Sequence, residues 1–165
     1  MPHITGIVET GPLANQIIAD LLSAGLTKDD ISLLMSDKTK EHFSAATKDS
    51  GDRAIVDTAI GAGTGGVLGA LLAGLTVVSA VLLPGASLVV AGPLVSVLTG
   101  AGAGAAIGGL AGALSAAGIA TAESEAFEKE IKAGKAVIFA HTANDAQTQT
   151  ARSILMSRGA DIRAA

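Results

Sequence analysis

Between Asp57 and Glu123 the chain carries no ionisable side chain for 65 residues, Thr58 to Ala122, and 15 of its 21 glycines fall in that stretch. Nothing else in the sequence constrains the fold as much. An apolar run of that length has to be covered by protein or by lipid. All charges therefore lie in two flanks, 1–57 and 123–165, and residues 58–122 read as an insertion that divides one small domain.

The insertion is expected to be helical. Ala59–Leu83 and Leu94–Ile119 are each long enough to cross a hydrocarbon core at roughly 20 residues per crossing. Pro84, Gly85, Gly92 and Pro93 break the pattern between them. The expectation is a helical hairpin with those four residues at its tip.

Glycines then recur every fourth residue. Gly61, Gly65 and Gly69 form one row, continued by Ala73, and Gly100, Gly104, Gly108 and Gly112 form another, continued by Ala116. Residues four apart share a helix face, so each row leaves a groove that a second backbone can approach closely. A glycine zipper is the reading that follows.

Rival chemistries for these glycines fail on their neighbours. Gly61, Gly63 and Gly66 match G-x-G-x-x-G, but a dinucleotide site needs an acidic residue about 20 residues later, and none occurs before Glu123. A phosphate loop needs a Gly-Lys-Ser/Thr, and the stretch has no lysine. A silk-like strand fits GAGAGA alone, whereas the four-residue spacing runs on through Gly112.

The flanks read as two halves of one α+β unit. His3–Glu9 is a strand, and a helix follows with Thr10 as N-cap, Pro12 in its first turn and Gly25 at its end. Leu13, Ile17, Leu21 and Ala24 give that helix an apolar stripe. Asp30–Ser36 is the second strand. After the insertion come a helix over Glu123–Ala133 closed by Gly134, a strand at Lys135–His141, a helix over Asn144–Arg158 closed by Gly159, and a short strand at Asp161–Arg163. That order is a ferredoxin-like split βαβ sandwich interrupted by the apolar hairpin.

No catalytic constellation emerges. His3, His42 and His141 are isolated in sequence, though His3 and His141 would meet, as a weak metal site, if their strands are neighbours. Glu123, Glu125, Glu128 and Glu130, with Lys129 and Lys132, read as a solvated helix face, and Asp29 and Asp30 as polar residues at a strand entry. There is no cysteine, so thiolate metal sites and disulfides are excluded. A net charge of −4 argues against a nucleic-acid surface. The N-terminus MPHITGIVETG lacks the basic and apolar regions of a secretory signal, so residence on the cytoplasmic side is expected.

Three stretches carry a resemblance: LLSAGLTKDDISLL (21–34), PGASLVVAGP (84–93) and EAFEKEIKAGKAVIFAHTAND (125–145). With them the chain resembles bacterial general-stress proteins of the YflT-like group. The resemblance implies stress induction with membrane association or self-assembly, and supplies no catalytic residue. The expected function is therefore non-enzymatic self-association through the glycine rows, with neither cofactor nor metal. The hairpin either enters the inner membrane from the cytoplasmic side or forms the shared apolar core of a soluble ring, shell or filament. A small-ligand-sensing module is the remaining alternative.

Overall fold

The computed structural model describes residues 3–36, 39, 78–83, 86–100, 102–116 and 118–164. Six strands are seen: β1 (His3–Val8), β2 (Ile31–Ser36), β3 (Val78–Leu83), β4 (Ala86–Ala91), β5 (Ala136–His141) and β6 (Asp161–Ala164). Five α-helices accompany them: α1 (Gly11–Ser23), α2 (Leu94–Gly100), α3 (Gly102–Ala116), α4 (Thr121–Lys132) and α5 (Asp145–Ser157). The strands form one antiparallel sheet in the order β3-β4-β2-β5-β1-β6. The fold is α+β.

Helices in the flanks stop where glycine allows it. Gly25, Gly134 and Gly159 adopt φ of 95°, 93° and 76°, a region that L side chains disfavour. The residue after each donates back across the last turn: Leu26 N to Leu21 O, Lys135 N to Glu130 O and Ala160 N to Leu155 O, at 3.0 to 3.1 Å. At the opposite ends, Asn144 caps α5 by accepting from Gln147 N at 2.9 Å. Thr10 occupies the N-cap of α1 but makes no side-chain cap there.

Strand alternation sorts the core into two layers. On one face Ile4, Val8, Ile31, Leu33, Met35, Ile138 and Ala140 pack under α1 and α5 through Ile17, Ile18, Leu21, Ala151 and Leu155. The buried stripe of α1 thus includes Ala14 and Ile18, while Ala24 of the expected stripe is exposed. Arg158 ties the two helices at their surface, donating to Asp20 at 2.7 Å and to Gln16 at 3.1 Å. On the opposite face Ile7, Leu34, Val90, Val137 and Phe139 pack under α2, α3 and α4. Phe127 of α4 stands edge-on to Phe139, with ring centres 5.4 Å apart.

The expected helical hairpin is corrected here. Its first arm does not run as helix to Leu83, because Val78–Leu83 is β3. Residues 86–91, expected within the tip, are β4, which pairs with β2 from Leu33–Ala91 to Ser36–Leu88. Pro84 and Gly85 lie outside the described residues, between the two strands. Gly92 and Pro93 mark the turn from β4 into α2 rather than the end of a helical hairpin. The physical reason is β2: its outer edge offers unpaired backbone groups, and the Val/Leu-rich run satisfies them while extending the apolar layer. The second arm is likewise not one helix. It is split into α2 and α3, and α3 is itself broken at Gly109, where φ is 62° and ψ is −148°. Among the described residues, no helix is long and apolar enough to cross a membrane.

Gly92 is required for this geometry. At φ 92° it is in the left-handed region, and a Cβ there would collide with the Ile31 carbonyl and lie 2.8 Å from Ser32 Cα. Both neighbours are backbone of β2 and cannot move aside. Gly134 is equally left-handed but opens onto free space. Gly134→Ala is expected to cost about 1 kcal/mol, whereas Gly92→Ala should cost about 3 kcal/mol or more, through strain and overpacking together. Urea unfolding of the two variants checks this; equal costs would mean that the β4–α2 turn does not rest on β2.

Candidate functional site

Two places gather unusual groups, and both lie on the face of the sheet that α2, α3 and α4 cover. The first is the break in α3. A helix interrupted at Gly109 leaves the N–H groups of the next turn without intrahelical partners. Ala111 N–H is satisfied from outside its own helix: it donates to Glu128 Oε2, on α4, at 2.8 Å. The other oxygen, Oε1, is paired with Lys132 one turn along α4. Glu128 is held in place because its neighbours Phe127 and Ile131 are locked in the core.

Only glycine suits the break. At φ 62° and ψ −148° Gly109 has a backbone conformation that is costly for other residues. Beyond the break, Leu110, Ala113 and Leu114 are pressed onto the sheet. Burying the two leucines contributes about 1.5–3 kcal/mol each, the upper part of that range where packing is tight. Bending at Gly109 is what permits that seating.

The glycine rows can be placed only in part. Gly61, Gly65 and Gly69 lie outside the described residues. Gly100 ends α2, while Gly104, Gly108 and Gly112 lie in α3. The break at Gly109 falls between Gly108 and Gly112, so these four do not line one straight helix.

The second place is the end of β1 and β5. Antiparallel register sets His3 directly opposite His141, and their ring centres are 6.2 Å apart with planes inclined at 46°. The neighbours required by the sequence reading are therefore real. His141 Nε2 is buried without a hydrogen-bond partner among the described residues. Burial pushes the His141 imidazole below its ordinary value, His3 adds to that, and Asp30 opposes it. Asp30 itself closes a capping box with Thr27, accepting from Thr27 N at 2.8 Å and Thr27 Oγ1 at 2.7 Å. Among the described residues no three His, Asp or Glu side chains converge on one point. His42 lies outside them.

Glu128 is the residue that sequence reading assigned differently. It was expected on a solvated face, yet it is part-buried and caps another helix, and Glu130 of the same face pairs with Lys135 at 2.9 Å. The available signal was its position: Phe127 and Ile131, four apart, face the core, which places Glu128 at the margin of the buried stripe. No family model, curated protein or solved structure matches this chain.

The carboxylate cap should be visible in the pH dependence of stability. Burial raises the Glu128 carboxyl, but the hydrogen bond from Lys132, the Ala111 N–H and the Lys132 charge outweigh it, so the group sits below its ordinary 4.5. A depressed folded-state value means stability that is complete above the unfolded value and is lost as pH falls through the folded one. Glu128→Gln should therefore destabilise at neutral pH by roughly 1–3 kcal/mol and flatten the acid limb of the curve. Urea midpoints from about pH 3 to pH 7 read both effects; a variant curve parallel to wild type would remove the cap from the account.

Proposed function

We propose that this chain is a non-enzymatic protein of the general-stress type whose role is to associate with copies of itself. The flanks are read as a ferredoxin-like unit. Support comes from the strand order β2-β5-β1-β6, with α1 and α5 on one face, which is the interleaving of two βαβ halves. The resemblance of stretches 21–34, 84–93 and 125–145 to the YflT-like group points the same way.

One observation carries the association reading. Part of the 65-residue charge-free stretch builds the sheet's outermost described strand on that side, and this strand, β3, has the sequence VSAVLL. An apolar edge without a charge or a proline is the kind of edge that pairs with another chain, and monomeric proteins usually blunt it. After β4 come α2 and the Gly/Ala-rich helix α3, so the surface offered to a second copy joins a strand edge to closely approachable helix backbone. Every charge that would keep chains apart lies in the flanks.

A second reading, association with the cytoplasmic face of the inner membrane, draws on the same charge-free stretch. The broken arm Leu94–Ile119 does not favour crossing as a continuous helix. Contact with a lipid bilayer is then peripheral, or involves residues 58–77, which lie outside the described ones.

Light scattering of the untagged chain should give a particle several times the 16.1 kDa of one chain. Gly104→Leu with Gly108→Leu should reduce it towards monomer, because leucine at both positions holds the backbones apart. A monomeric wild type at micromolar concentration would overturn self-association. Flotation of that monomer with anionic vesicles would establish the membrane reading in its place.

A further inference from the structure

We propose that His3 and His141 form a two-imidazole binding site for a divalent transition-metal ion of borderline softness, Zn2+, Ni2+ or Cu2+, with water completing the coordination.

The geometry carries this. Imidazole nitrogen is the preferred protein ligand for these ions, at about 2.0–2.1 Å. Adding the distance from nitrogen to ring centre, two imidazoles sharing an ion lie about 5 Å apart at a tetrahedral angle and about 6.3 Å apart when opposed. The observed 6.2 Å falls at the wide end of that window, so side-chain rotation suffices and no backbone has to move. The backbone is well held. β1 and β5 are interior strands, paired along their length from His3–His141 to Val8–Ala136.

The chemistry of the two rings agrees. His141 Nε2 is buried with no partner among the described residues, an arrangement that is costly for a polar atom and that an ion between the rings would relieve. Asp30 completes the surroundings. Register pairs Ile31 with Ala140, which sets Asp30 beside His141, and its negative charge acts on that imidazole. That charge offsets part of the ion's own, while the Asp30 Oδ2 is already committed to Thr27. A two-protein-ligand site is open by construction, and moderate affinity follows.

The test uses the full untagged chain, stripped with chelator and titrated with zinc sulfate by calorimetry and by thermal unfolding. One ion per chain is expected, with the melting temperature raised by about 5 °C at saturation. His3→Gln should weaken binding at least ten-fold, and His42→Gln should leave it unchanged. His3 is half-exposed at a strand end, so that variant tests the site even where His141→Gln does not fold. Electron paramagnetic resonance of the Cu2+ form should show coupling to two imidazole nitrogens, falling to one in His3→Gln. Undetectable zinc binding by wild type, or affinity unaltered in His3→Gln, would overturn the proposal.

Discussion

The central strands of this sheet are apolar on both faces, and the rest of the molecule answers that constraint. Ala136 to Ala140 of β5 are all buried, as are Ile31 to Met35 of β2. Strands of that kind need a layer of helix on each side. The flanks supply α1 and α5 for one face. For the other they supply only α4, and one helix cannot cover Ile7, Leu34, Val90, Val137 and Phe139 together. The missing cover is α2 and α3, drawn from the charge-free stretch. The described part of the insertion thus shares a core with the flanks.

Seating that cover demands local concessions. The chain must leave β4 and double back over β2, and it does so at Gly92, close enough to touch β2 backbone, with Leu94 N–H received by the buried Ser32 hydroxyl at 3.3 Å. It must then bend again within α3, and Gly109 with the Glu128 cap makes that bend affordable in hydrogen bonds. A helix with four-residue glycine spacing lends itself to this, since glycine both weakens the straight helix and removes the side chains that would resist close approach. The face of that helix that meets the sheet carries Leu110, Ala113 and Leu114.

Several polar residues of the second face stand at one end of the strands. Thr5 and Ser32 are buried, and His3, His141 and Asp30 stand at the strand termini beside them. An apolar roof set over a sheet leaves its polar groups to the rim, where water or a ligand can reach them. That placement puts the imidazole pair at an accessible margin while one of its nitrogens stays inside.

The flanking elements were legible in the sequence by itself because their signals are local. Glycine after a helix, a proline in a helix's first turn and a short β-rich run act over a few residues, and the strands and helices of 3–36 and 121–164 lie within a residue or two of where those signals put them. The meeting of His3 and His141 was legible only as a condition on strand order. What the tertiary structure decided was the fate of residues that no local rule commits. VSAVLL and ASLVVA suit an apolar helix as well as a strand, and the free edge of β2 resolved them as strands. Gly109 reads like its neighbour Gly108, and the need to press Leu110 and Leu114 onto the sheet selected it as the break. Glu128 became a cap only once that break brought Ala111 within reach. Secondary structure here follows local chemistry where glycine and capping residues speak, and long-range burial where a uniform apolar run leaves several conformations nearly equal in energy.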